Sequence, residues 1–382
     1  MNDSELVALG NHCREQNNFD QALACYAQAF VHNRLNNHAW NNYGNVLREL
    51  GDPAGAIPFL QYGIHLSPGE STPPFNLAVA YLLAGDYQRG WPQYETRWNF
   101  EHLSGTLPQF SQPRWTGQDL EGKTIFVLNE QGLGDNIQFV RFLPELINRK
   151  ATVILSANTP LIPVFKNSLP QIAVLEYGQV PDQFDYWTPI MSIPGIINVT
   201  LDTLPKNLSY ITANNDKIEK WRKILGLKKQ LRVGFCYSGR QDSWINRHKG
   251  MDIDQMLSLI QRNPNYDWIN LQIDASDEDI GKMTLMKCHV YNDQITDFAD
   301  TAGLMHHLDV VISVDTAVAH LAGAMGRPTW IPLNAFGTDW RWLLGRDDSP
   351  WYPSARLFRQ PTPGDWTSCF DKIHQYLSWF KI

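Results

Sequence analysis

No CxxC spacing occurs in this chain, and its five cysteines, Cys13, Cys25, Cys236, Cys288 and Cys369, are odd in number and far apart. Neither a disulfide framework nor a zinc knuckle is implied, so a reducing, cytoplasmic setting is expected. Apolar runs are also short: none approaches the ~20 residues of a membrane span. The opening MNDSELVALG lacks the basic and apolar regions of an export signal, so nothing is expected to export or anchor the chain. Positive charge is scarce as well. Acidic residues exceed basic ones by 39 to 32, for a net charge of -7, which argues against general attraction to nucleic acid or anionic membrane. The 382 residues do supply a core: 43% are hydrophobic, 12% aromatic and only 19% charged, the profile of a folded chain of two or three domains.

The first hundred residues repeat. Gly10 matches Gly44, Ala22 matches Ala56, Asn42 matches Asn76, Gly51 matches Gly85 and Asp52 matches Asp86, each at an offset of 34. With Trp40, Gly44, Ala56 and Pro68 at the bulky, small and terminating positions, this pattern resembles the tetratricopeptide repeat, in two full units and part of a third. Small residues let paired helices approach closely, and Asn17-Asn18, Gly51-Asp52 and Gly85-Asp86 read as the turns between them. So short a stack either braces the next domain or grips a partner. The proline- and glycine-bearing LPQFSQPRWTG places a boundary near residue 115.

After residue 120, short apolar runs alternate with helical stretches: TIFVLN, TVILS, LRVGFCYS, DWINLQI, DVVISV and TWIPL read as strands. Alternation of this kind implies parallel sheets covered by helices, with ligands at the carboxyl ends of the strands. The polar stretch KNLSYITANNDKIEKWRKILGLKKQ reads as the join between two doubly wound halves.

Four motifs can carry chemistry. In EQGLGDNIQF, Gly132 and Gly134 permit a tight turn and close backbone approach, and Asp135 opens the next helix either as a cap or as a reactive carboxylate. The motif lacks the third glycine and the acidic ribose partner of a dinucleotide site. In DVVISVDTAVAHLAGAMGRP, a buried strand ends at Asp315, and a helix of small residues follows Thr316 and Ala317 with amides suited to a phosphate. Asp315 is either a helix cap or part of that anion site, and His320, one turn in, either reaches a ligand or packs. LRVGFCYSGRQDSWINRHKGMD sets Ser238, Gly239, Arg240, Arg247, His248 and Lys249 after a strand, where they either neutralise a diphosphate or form a solvated loop. The nearby Asp252-Ile253-Asp254 looks like a helix start rather than a metal site. Last, FGTDWRWLLGRDDSPWYPSARLFRQ interleaves Trp340, Trp342, Trp351 and Tyr352 with arginines, which either line a sugar or base pocket or pin a long loop to the core.

Taken together, GLGD after the first strand, the SGR loop, and DTAVAHLAGAMGRP followed by DWRWLLGRDDSPWYPSARLFRQ resemble bacterial tetratricopeptide-repeat proteins that end in a GT-B glycosyltransferase domain. The C-terminal part is similar to ADP-heptose transferases, and the domain order is similar to O-linked N-acetylglucosamine transferases. The resemblance implies α-helical tetratricopeptide repeats followed by an α/β GT-B fold, two Rossmann-like domains facing a cleft. The expected divisions are repeats over 1–115, an acceptor-side domain over 116–228, a nucleotide-sugar domain over 229–362, and a closing helix over 363–382 packed back on the N-terminal half.

By the same resemblance Asp135 matches a catalytic base. Gly132, Gly134, Ser238, Gly239, Arg240, Lys249, Gln272, Asp315, Thr316, Ala317, His320 and Trp340 would bind the donor, with Gln272 near the base of the nucleotide. The activity implied is metal-independent, inverting glycosyl transfer from a nucleotide-sugar to a hydroxyl of a protein or glycan docked by the repeats. No cofactor is expected. The sequence departs from both relatives: heptosyltransferases lack these repeats and the O-linked enzymes have many more. A noncatalytic repeat protein with a degenerate GT-B domain is the alternative, and a sugar-nucleotide epimerase a third reading.

Overall fold

The computed structural model describes residues 1–70, 72–99, 107–206, 209–239 and 248–380. The chain forms two compact units. One comprises 1–110, 197–204 and 335–346, and the other 111–196, 205–334 and 347–382.

The first unit is three antiparallel helix pairs: α1 (Asp3–Glu15) with α2 (Phe19–His32), α3 (Asn37–Glu49) with α4 (Pro53–Leu66), and α5 (Thr72–Leu83) with α6 (Tyr87–Tyr94). The 34-residue period recurs in the backbone physics. Asn18, Asp52 and Asp86 cap α2, α4 and α6, each accepting a hydrogen bond from an amide three residues on. The residues just before them, Asn17, Gly51 and Gly85, all take left-handed φ values of 60°, 86° and 80°, a conformation open to glycine and tolerated by asparagine. Close packing explains the small residues: a Cβ on Gly10 would come within 2.5 Å of the Tyr26 ring of α2.

The third pair ends early, and its apolar end is completed from far along the chain. Trp340 sits with its ring 5.4 Å from that of Trp91 and 6.1 Å from that of Tyr87, and Phe336 meets Phe19 edge-on at 5.0 Å. The Gly337 amide donates to the Glu49 carbonyl at 2.7 Å. The helical unit is therefore discontinuous in sequence, where one segment over 1–115 was expected. Segments 197–204 and 335–346 join it because their apolar side chains and backbone groups find partners there; the Val199 carbonyl, for example, accepts the Trp91 indole N–H at 2.9 Å.

The second unit holds two parallel sheets. The first contains β1 (Thr124–Leu128), β2 (Thr152–Ala157), β3 (Ala173–Glu176) and β4 (Tyr186–Pro189) in the order β3-β2-β1-β4, with Ile125 opposite both Val153 and Tyr186. The second contains β5 (Arg232–Cys236), β6 (Asp267–Asn270), β7 (Val310–Ser313), β8 (Thr329–Leu333) and β9 (Ala355–Arg359) in the order β6-β5-β7-β8-β9. Residues of β5, β7 and β8 are wholly buried, as expected of parallel strands covered on both faces. The architecture of helical repeats followed by Rossmann-like parallel sheets is the one the sequence implies.

A second expectation is corrected. The closing helix, Trp366–Trp379, does not pack back on the N-terminal half: Trp366, Cys369, Phe370, Ile373 and Leu377 enter the core formed by Val233, Phe235, Trp268, Ile312 and Phe358 of the second sheet. Its apolar stripe matches the sheet immediately before it, and Tyr266 ties it down by donating to the Leu377 carbonyl at 3.0 Å. Among the described residues no helix is long and apolar enough to cross a membrane.

Candidate functional site

Both sheets reverse strand order at one place, the topological switch point where ligands of such folds bind. In the first sheet the chain leaves β1 for β2 on one side and later adds β4 on the other; in the second it leaves β5 for β6 and returns to add β7. The turns at these strands' carboxyl ends are the GLGD motif after β1, Ser238-Gly239 after β5 and Asp315-Thr316 after β7. The candidate residues therefore lie at the switch points.

Thr316, not Asp315, caps the helix Ala317–Ala324: its hydroxyl accepts from the Val318 amide at 3.3 Å and lies 3.1 Å from the Ser313 hydroxyl. Asp315 is left for another task. Its side chain is only 8% exposed and pairs with Lys249 Nζ at 2.8 Å, while His320 Nε2 lies 3.7 Å away. Burial alone would raise this carboxyl, but the Lys249 charge and the His320 hydrogen bond outweigh it and hold the group well below the usual carboxylate range. His320 is itself buried, with Nδ1 2.8 Å from the Tyr352 hydroxyl, so it is a packed and hydrogen-bonded histidine.

Ser238, Gly239, Gln272 and Thr316 converge. Gln272 Oε1 accepts from the Ser238 amide at 3.1 Å and from the Cys236 thiol at 3.0 Å, and a Cβ on Gly239 would touch the Thr316 methyl at 3.0 Å. Cys236, which sequence reasoning passed over, is the hub: its sulfur also lies 3.7 Å from Thr316 Oγ1. Burial pushes its thiol up to about 11, so it stays protonated as a donor.

The GLGD turn comes to the same place. A Cβ on Gly134 would stand 2.7 Å from His320 Cδ2 and 3.3 Å from Ala317 Cα, so only glycine lets the turn lie against the start of the Ala317–Ala324 helix. Gln131, just before it, adopts a left-handed φ of 59°. Asp135 is half-buried and its Oδ2 accepts the Gly132 amide at 2.8 Å, which fixes the carboxylate's direction. Behind it, the buried Asn136 donates to the carbonyls of Glu130 and Gly132 and holds the turn in shape.

Arg141, also missed, joins the first half of this unit to its last part. Its guanidinium donates to the Trp351 carbonyl at 2.6 Å and the Tyr210 hydroxyl at 2.9 Å, and lies over the rings of Tyr210, Trp351 and Tyr352. A lone arginine inside the apolar run FVRFLPEL was the available signal.

One candidate stands apart. Trp340 is not brought to the other residues: it is 3% exposed and belongs to the aromatic cluster of the helical unit, where its faces are taken by Trp91, Tyr87 and Tyr94. Arg240 and Arg247 lie outside the described residues. Asp252 is a helix cap accepting from the Asp254 amide at 2.9 Å, as the sequence suggested.

Two family models match parts of the chain. Residues 7–71 match the tetratricopeptide repeat, and residues 295–333, which contain β7, the Asp315-Thr316 turn and β8, match glycosyltransferase family 9 (heptosyltransferase). Residues 7–71 are thus similar to tetratricopeptide repeats and residues 295–333 to a family 9, heptosyltransferase domain, which supports glycosyl transfer as the general class of activity.

Among individual proteins it is similar to Protein FlbA of Caulobacter vibrioides, 25% identical over 425 residues that cover 94% of this chain and 70% of that one. Among solved structures it is similar to the E. coli ADP-heptose lps heptosyltransferase II, with a TM-score of 0.49 and 12% identity over 67% of this chain and 99% of that one. It is also similar to the family 9 glycosyl transferase of Veillonella parvula, with a TM-score of 0.48 and 13% identity over 70% of this chain and 92% of that one.

Proposed function

We propose that the protein moves a sugar from a nucleoside-diphosphate donor to a hydroxyl of a protein or glycan acceptor, with inversion, without a metal ion, and in the cytoplasm. Transfer of this kind needs a base at the acceptor hydroxyl and compensation for the charge that grows on the departing diphosphate. Asp135 is the proposed base. As the acceptor oxygen bonds to the anomeric carbon, the bond to the diphosphate breaks, the electron pair leaves with the phosphate oxygen and the hydroxyl proton passes to Asp135. The amides opening the Ala317–Ala324 helix, Lys249, Ser238 and Arg240 are proposed to receive the diphosphate, with Gln272 near the nucleobase.

The observation that supports this reading is the approach of Gly134 to Ala317 Cα, because it brings a carboxylate turn and a helix N-terminus into one neighbourhood. The repeats are proposed to dock the acceptor.

The test is kinetic. With general-base catalysis worth about 10²–10⁴-fold, Asp135→Asn should lower turnover by that factor while calorimetric affinity for the matching nucleoside diphosphate holds. Unchanged turnover removes Asp135 from the chemistry. Failure to bind any of the UDP, GDP, ADP, TDP or CMP series identifies the noncatalytic repeat protein instead.

A further inference from the structure

A cavity lies at the amino-terminal end of the β5–β9 sheet, whereas the residues of the proposed donor site lie at the carboxyl ends of its strands. Its volume is about 590 Å³, and its wall is formed by the end of the helix Asn215–Leu225, the loop leading into β5, and the residues just before β7 and β8. For a chain that is acidic overall, the wall is unusual. Arg222, Lys223, Lys228, Arg232 and Arg327 line it together with His306 and His307, and Asp309 is the one carboxylate in the lining.

Part of this charge is already spent. Arg232 donates to the carbonyls of Leu225 and Gly226 at the end of the Asn215–Leu225 helix, a natural place for a cation. Lys228 Nζ meets Asp309 at 2.6 Å, and Arg222 forks onto Glu219. Lys223 is 71% exposed and only 4.0 Å at closest from that same Glu219. Arg327 gives one N–H to the Leu308 carbonyl, and its buried Nε has no hydrogen-bond partner. Five permanent cations thus outnumber the two carboxylates, Glu219 and Asp309, that pair with them.

We propose that this cavity is a binding site for a small anion with linked phosphates, separate from the donor site. Lys223 and Lys228 would meet the outer phosphate oxygens, and the Arg327 guanidinium would supply positive charge at the inner end. The volume falls in the range of small-ligand pockets, and linked phosphates offer the several acceptors that this many cationic donors can share. One electrostatic fact agrees with the surplus. His306 is lowered by burial and by the nearby charges of His307 and Arg327.

The probe is inorganic triphosphate, titrated calorimetrically into the full chain at low ionic strength. Lys223→Glu combined with Lys228→Gln changes two side chains that are 71% and 35% exposed, so the fold is retained and circular dichroism verifies it. The double variant should lose one binding event or weaken it at least tenfold, Lys223→Arg should retain it, and raising the salt should weaken it in the wild type. Because the proposed donor site can also take up phosphate, stoichiometry separates the two: a fall from two sites to one, or from one to none, supports the cavity whichever state the donor reading is in. Unchanged stoichiometry and affinity in the double variant overturn the proposal. A nucleoside triphosphate run alongside distinguishes the sources of the anion, with tighter binding than triphosphate indicating that a nucleoside shares the cavity.

Discussion

Lys249 Nζ stands 2.8 Å from Asp315 Oδ2, and the carboxylate it neutralises is 8% exposed. This pair ties the loop after β5 to the turn after β7, the two sides of the switch point in the second sheet.

Removing the lysine should therefore act on stability as well as on donor affinity. Lys249→Ala leaves a buried carboxylate without its cation, with only the His320 contact remaining, which costs roughly 3 kcal/mol at neutral pH. The pH dependence follows from the sign of the shift. In the wild type the Asp315 pKa lies below its ordinary 3.8, so its stabilising contribution is complete above that value and is lost as pH falls through the lower, folded-state pKa. In the variant the Lys249 charge no longer offsets burial and only the His320 contribution remains, so the carboxyl's pKa rises and protonation begins at a higher pH than in the wild type, relieving part of the penalty. Urea unfolding from pH 7 towards pH 4 should show the gap between the two proteins narrowing; a constant gap contradicts the pairing.

Gly134→Ala should be costly although the residue is exposed to neither strain nor solvent change. The added methyl would meet the His320 ring at 2.7 Å and the Ala317 backbone at 3.3 Å, so the turn must retreat. Overpacking of this kind costs about 1–3 kcal/mol, and a displacement of ~1 Å at a catalytic group can cost about a hundredfold in rate. Thermal unfolding and kcat/KM measured together check both; wild-type values in each would mean that the approach is not needed.

The hydroxyl of Tyr352 lies 2.8 Å from His320 Nδ1, with both residues buried. Tyr352→Phe leaves a ring nitrogen without its partner, and a loss of about 1–3 kcal/mol in chemical denaturation is expected. Rate should fall less than in the Asp135 variant, since the hydroxyl acts only through the ring it steadies.

Trp340→Ala separates two roles for the same residue. As a buried member of the Tyr87, Trp91 and Tyr94 cluster, its loss should cost about 3–5 kcal/mol. A sugar-binding tryptophan would instead raise KM for the donor and leave the unfolding midpoint in place.

Much of this was legible because the physics is local. Gly10, Gly44 and the caps at Asn18, Asp52 and Asp86 recur at one spacing, and β1, β2 and β5 to β8 are apolar runs that parallel strands require. The strand β4, YWTP, and the edge strand β9, ARLFR, were hidden: one is four residues ending in proline, and the other alternates arginine with apolar residues inside what looks like an aromatic loop. At the candidate site, glycine placement and the Thr316 turn stood out, whereas Cys236 and Arg141 did not, since their roles depend on partners from distant stretches. The destination of the tryptophan-rich segment was illegible for a like reason. A run of aromatic residues declares that it will be covered, and what covers it is decided by the unfinished end of the third helix pair.

Residues 335–346 run directly on from β8 yet reside among the repeats. No single cut in the polypeptide can therefore release an intact repeat module from an intact sheet-bearing unit. Proteolysis or truncation near residue 110 would strip one fragment of its aromatic plug and leave the other with Phe336, Trp340 and Trp342 exposed and prone to self-association. Anyone grafting these repeats onto another enzyme would have to transplant this distant strap along with them.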